Sequence, residues 1–309
     1  MTSLRTAAED YLAMRRALGF KLALQGRLLM QFVDYLQGCG LETVTAEAAM
    51  AWATAPSGAS PVWHGMRLGV ARRFAAHLHL LDPHCEVPPP DVLPERHRRL
   101  PPYIYSTDEI AALMGQARRL CPALRAATAE TVIGLLAVTG MRSGEVLRLN
   151  RSDVDLTTRT LMIVATKGGK SRELVIHEST AGALAAYAKV RDQTLTAASP
   201  SFFVSTTGHR LSESTLHATF RHLVQAAGLE PLPGSRTRRP RQHDVRHSFA
   251  VSTLVAWYRA GEDVQARLPA LSAFMGHVEP KDTYWYLSAV PELLSLASDR
   301  AEVRRGHRP

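Results

Sequence analysis

The residues best suited to chemistry lie between His243 and Tyr286. His243-Asp244-Val245-Arg246-His247 sets a His and an Arg three apart, so on a helix both face the same way and can approach one phosphate together. A guanidinium is a planar fork that can hold two non-bridging phosphate oxygens. Gly276-His277 puts a second imidazole at a helix end, where it can donate to the same oxygens. Tyr284-Trp285-Tyr286 offers a phenolic oxygen as nucleophile. Upstream, Thr139-Gly140-Met141-Arg142-Ser143-Gly144-Glu145 supplies another Arg near a helix start, where backbone N–H groups also favour an anion. Two Arg, two His and a Tyr make an anion site with a nucleophile and without metal-binding carboxylates.

This ordered set resembles the tyrosine recombinases, the phage integrase family. The matching pattern is an Arg in T-G-x-R-x-x-E, a Lys on a β-hairpin, H-x-x-R, G-H, and a Tyr nine residues past that last His. In this chain these are Arg142, Lys167, His243 with Arg246, His277 and Tyr286. The resemblance covers residues 103–296, and the N-terminal part more loosely. Lys170 is the alternative to Lys167, or a phosphate contact. Tyr284 lies seven past His277, and two residues along a helix is roughly 200°, so only one of the two tyrosines can face a site.

The resemblance implies phosphoryl transfer on a DNA phosphodiester. Tyr286 would attack phosphorus, leaving a 3′-phosphotyrosine and a free 5′-hydroxyl. A phenol with a pKa of about 10 must lose its proton as it attacks, and His243 is the candidate general base. Arg142 and Arg246 would hold the non-bridging oxygens, His277 would donate to the same phosphate, and Lys167 would protonate the leaving oxygen. No cofactor, metal or ATP is implied. The implied partners are double-stranded DNA carrying specific sites, a homo-oligomer of four protomers on that DNA, and partner recombinases. A type IB topoisomerase uses the same residue set, but the small helical N-terminal part and the leucine-rich C-terminal segment favour recombination. The Tyr-Trp-Tyr-Leu-Ser run points to a mobile-element enzyme. A non-catalytic DNA-binding protein would share the charge without needing all six residues. A metallohydrolase built from His243, His247 and His277 lacks an HExxH motif and an acidic ligand cluster.

The bulk composition agrees. The chain has 309 residues, a net charge of +9, 46% hydrophobic and 21% charged residues, which suits real cores and a polyanionic partner. Cys39, Cys85 and Cys121 are too spread for a metal site and read as reduced thiols in a cytoplasmic, nucleoid-associated protein. Arg5, Glu9 and Asp10 do not fit a signal peptide, and the absence of an 18-residue apolar run argues against a membrane span.

The elements that must position the site read as mainly α with a small β-sheet. Residues 1–82 form a helical N-terminal domain, with helices over 4–18, from Leu28 to Leu36, over 45–53 and from Ser60-Pro61 onward. Arg67, Arg72 and Arg73 fall away from its apolar side. They are either a solvated face or, as the resemblance implies, part of a core-binding domain that grips DNA opposite the catalytic domain. Residues 83–102, rich in Pro and basic residues, read as an extended linker. The α+β catalytic domain spans 103–309. Ser106 to Glu109 fits a capping box, helices cover 107–119 and a buried 122–138, and a hairpin over 160–176 turns at Lys167-Gly168-Gly169-Lys170. Helices follow over 179–192 and 211–227. Arg236, Arg238, Arg239 and Arg241 form a basic run before His243, suited to phosphates or a groove. His243 starts a helix, and another covers 268–275. The Arg246–His277 interval is longer than in compact family members, with the extra residues around Trp257 to Pro269 either lengthening a helix or adding a loop.

Overall fold

The computed structural model describes residues 3–94, 101–164, 171–197, 199–229 and 239–276. The chain divides into two compact units, residues 1–99 and 100–309.

The described residues of the first unit form four helices, α1 (Leu4–Ala17), α2 (Ala23–Gly38), α3 (Ala46–Thr54) and α4 (Pro61–His79), and no strand. Ser3, Thr45 and Ser60 cap α1, α3 and α4 through their side-chain oxygens, which satisfies amide donors a helix start would otherwise orphan. Leu29, Phe32, Val33, Leu36, Trp52, Leu68 and Phe74 form its core.

Two features of this unit differ from the sequence reading. Arg67 is buried at 8% exposure. Its guanidinium lies 3.8 Å from the Trp52 ring centroid and donates to Trp52 O at 2.7 Å. Arg67 therefore does not belong to the DNA-facing set: its charge is committed inside the unit, where stacking and one strong hydrogen bond offset its desolvation. The proline-rich stretch also begins as packed chain rather than free linker. Cys85 is buried in the core, Glu86 N donates to Val44 O, and Arg72 donates to the carbonyls of Pro88 and Pro89. Proline keeps the chain extended here, and Arg72 supplies the donors that proline cannot. Arg73 is exposed.

The second unit opens with α5 (Thr107–Arg118) and α6 (Ala123–Thr139). The Ser106–Glu109 capping box is formed in both directions. α6 is buried on most sides, through Leu124, Val132, Ile133, Leu135 and Leu136, and α5, α8 (Glu178–Thr194), α9 (Glu213–Ala226) and α10 (Gln242–Arg259) all pack on it. After α7 (Ser143–Arg148), strands β1 (Val154–Asp155), β2 (Thr160–Ile163) and β3 (Arg172–Val175) form an antiparallel sheet in that order. Leu161 faces Leu174 and Ile163 faces Arg172. β1 is too short to show a period-2 pattern, which is why the sequence shows only a hairpin.

The long Arg246–His277 interval is helix rather than loop over its described part. α10 continues to Arg259, Gly261 turns the chain in the left-handed region, and Asp263 caps α11 (Val264–Met275). α11 thus begins before the 268 expected, with Pro269 inside its second turn. Val251, Leu254, Val255, Val264, Leu268, Leu271 and Met275 give this helix pair its own core.

Truncating Arg67 to Ala should destabilise the helical unit by about 2 kcal/mol, the scale of a lost charged hydrogen bond plus packing, whereas Arg73→Ala should stay within about 0.5 kcal/mol. Urea midpoints of the two variants check this; equal, negligible shifts would show that Arg67 is not a core residue.

Candidate active site

The site is built where the end of α6, the start of α7, the start of β3, α10 and the end of α11 meet. Gly140 ends α6 in the left-handed region at φ 59°, a conformation that favours Gly. A Cβ there would lie 2.4 Å from Phe249 of α10, so the glycine also permits close helix approach. The turn delivers Arg142 as the residue just before α7.

Arg142 is anchored at two points. Its Nη1 donates to Glu145 Oε1 at 2.9 Å and its Nη2 to Gly276 O at 2.9 Å. Glu145 also accepts from the Arg142 backbone N–H at 3.0 Å, so it caps α7 and orients Arg142 together. Arg142 keeps 28% of its side chain exposed.

Arg246 comes from the first turns of α10 and is buried. Its Nη1 donates to Gly140 O, and its Nη2 to Met275 O at 2.8 Å. Arg142 and Arg246 therefore hold two consecutive carbonyls, Met275 and Gly276, at the end of α11. Such carbonyls have no intrahelical partner, and they form the negative end of the helix dipole. Gly276 is left-handed at φ 67°.

His243 is exposed one turn before Arg246, with its ring centroid 4.8 Å from that of buried His247 in an edge-on arrangement. Asp244 is fully buried and accepts from Arg241 N at 2.9 Å and Arg241 Nη2 at 3.1 Å, which secures the entry to α10. Arg239 and Arg241 are exposed. Lys167, Lys170, Arg236, Arg238, His277, Tyr284 and Tyr286 lie outside the described residues. Among the described residues no group of three His, Cys, Asp or Glu is arranged to hold a metal ion.

The residue that sequence reasoning missed is Arg172. Its Nε donates to Phe274 O at 3.0 Å, and its Nη1 and Nη2 donate to the two oxygens of Glu145 at 3.2 and 2.8 Å. The available signal was parity: Arg172 shares a strand face with buried Leu174, and a charge on a core-facing position must find a partner. Burial alone would push the Glu145 carboxyl up in pKa. The hydrogen bonds from Arg172 and Arg142 overcome this and hold it below its ordinary 4.5.

Residues 105–292 match the phage integrase family. The proposed integrase/recombinase y4rB of Sinorhizobium fredii is 41% identical over 312 residues, covering 98% of each chain. Tyrosine recombinase XerD of Mycobacterium leprae is 30% identical over 68% of this chain and 65% of its own. Among solved structures, the Tn1549 transposon integrase in complex with transposon right end DNA aligns over 98% of this chain and 99% of its own, with a TM-score of 0.65 at 16% identity. The chain belongs to the phage integrase family. It is a tyrosine-type site-specific recombinase.

Glu145→Gln should cost about 3 kcal/mol at neutral pH, as for one partner removed from a buried ion pair. A carboxyl whose folded pKa is depressed stabilises above its unfolded pKa and loses that contribution as pH falls through the folded value. The gap between wild type and Glu145→Gln should therefore close as pH drops below 4.5. Urea midpoints at several pH values check this, and a gap constant with pH would contradict it.

Proposed function

We propose that Arg142 and Arg246 form the clamp on the scissile DNA phosphate, that Tyr286 is the nucleophile, and that the product of its attack is a 3′-phosphotyrosine with a free 5′-hydroxyl. The observation that carries this reading is the convergence of two guanidiniums on the carbonyls of Met275 and Gly276, directly before His277 in the chain. Arginines from distant segments meet there with fixed geometry, which is what stabilising charge on non-bridging oxygens requires. The Arg–His spacing on α10 puts exposed His243 one turn away as the candidate base.

His277 is assigned as a donor to the same phosphate and Lys167 as the acid for the leaving oxygen, with Lys170 as a phosphate contact. Attack by a second 5′-hydroxyl reverses the step and completes strand exchange, so the bond energy stays in the protein–DNA ester. The two cations would supply the charge stabilisation that divalent ions supply in nucleases.

Arg72, Arg73, Arg236, Arg238, Arg239 and Arg241 are assigned to DNA phosphates, with Arg72 also supporting the chain at Pro88. Residues 1–82 are assigned as the core-binding domain and 103–309 as the catalytic domain. The proposed substrate is double-stranded DNA; DNA binding is supported by solved relatives, since the Tn1549 transposon integrase was captured in complex with transposon right end DNA. Cutting two duplexes calls for an assembly, proposed as four protomers on DNA, serving a mobile element.

Covalent trapping tests the reading. Nicked duplexes from the DNA flanking the gene, incubated without metal and run on denaturing gels, should give a 3′-linked adduct. It should vanish in Tyr286→Phe and persist in Tyr284→Phe; loss only in Tyr284→Phe would move the nucleophile. Arg246→Ala should slow adduct formation by about 10²- to 10³-fold, the scale of losing a donor to developing charge.

A further inference from the structure

We infer that Arg172 is a positioning residue for strand cleavage, acting through Glu145 and the end of α11 to set the orientation of Arg142. This rests on the reading of Arg142 as a phosphate clamp.

Arg142 is fixed by two acceptors, Glu145 Oε1 and Gly276 O. Arg172 supports both. It donates to each oxygen of Glu145 while Arg142 donates to one of them, so the carboxylate is held by two guanidiniums and cannot rotate to pair with Arg142 alone. Its Nε donates to Phe274 O, two residues before Gly276. The guanidinium also lies flush against Gly276: a Cβ there would be 2.5 Å from Arg172 Nη1. All three Arg172 nitrogens are thus committed to protein acceptors, and its side chain is 14% exposed, half the value for Arg142. Arg142 is the more exposed of the two guanidiniums, and Arg172 the more fully committed to protein acceptors.

The division of labour follows from guanidinium geometry. A planar fork can make a two-pronged contact with a carboxylate while Nε reaches a third acceptor. Lysine carries the same charge as a single point and cannot reach all three. Replacing Arg172 leaves Glu145 to Arg142 alone and leaves Phe274 O without its donor, so both anchors of Arg142 shift.

The test uses the full chain and a nicked duplex on which the wild type forms its covalent adduct. Arg172→Lys, which keeps the charge, should fold and bind that duplex with a half-saturating concentration within about twofold of wild type, yet form adduct about tenfold more slowly at saturation; Arg172→Ala should be about 100-fold slower, the scale of a small misplacement of a reacting group. Because the effect runs through Glu145, adding Arg172→Lys to Glu145→Gln should slow the reaction by less than about threefold further, the non-additivity of residues in one network. The assignment is overturned if Arg172→Lys reacts at the wild-type rate, if its defect lies wholly in DNA affinity, or if the two substitutions multiply. A wild-type chain that forms no adduct on any duplex defeats the cleavage reading itself, and this assignment with it.

Discussion

Glu145 is the acceptor on which the site depends. Arg142 and Arg172 lie side by side and would repel one another in a partly buried place. The single carboxylate between them neutralises one charge and gives each a fixed partner. The end of α11 completes the arrangement. Phe274, Met275 and Gly276 present carbonyls that a helix cannot satisfy, and Arg172, Arg246 and Arg142 take one each. Three segments far apart in the chain are joined by groups that each need what the other has. A buried acid kept ionised by two guanidiniums is costly to assemble but hard to rearrange, so the orientation of Arg142 is held fixed.

Backbone geometry explains why glycine sits at both ends of this arrangement. Gly140 and Gly276 each end a helix in the left-handed region. Each also stands where a side chain would strike a neighbour, Phe249 in the first case and Arg172 in the second. The G in T-G-x-R and the G in G-H are therefore steric requirements of the same site. They let α10 approach the end of α6, and let an arginine lie flat against the end of α11.

The helical N-terminal unit shows how charge alone can mislead. Arg67, Arg72 and Arg73 look alike in sequence. One is stacked on Trp52 inside the core, one ties down the chain at Pro88 and Pro89, and one is exposed. A guanidinium can lie flat on an aromatic face or satisfy carbonyls as readily as it can face solvent, so its type does not reveal its partner. Helical spacing separated α4's apolar side from the rest, but Arg67 neighbours that side closely enough to be drawn in.

The sequence by itself determined the helices, the hairpin and the identity of the chemistry. Their signals are local: cap residues such as Ser60 and Ser106, apolar spacing along α2 and α9, and motifs whose residue types carry their own reactivity. It also settled the family, because an ordered set of reactive residues is far more specific than any one motif. Only the tertiary structure decided what those residues lean on. Arg172 lies 27 residues from Glu145 and 102 from Phe274, and no local spacing encodes such a contact. The same holds for the burial of Arg67 against Trp52. Propensity and periodicity act within a few residues, whereas the partner of a buried charge is chosen by which distant segments the fold brings together.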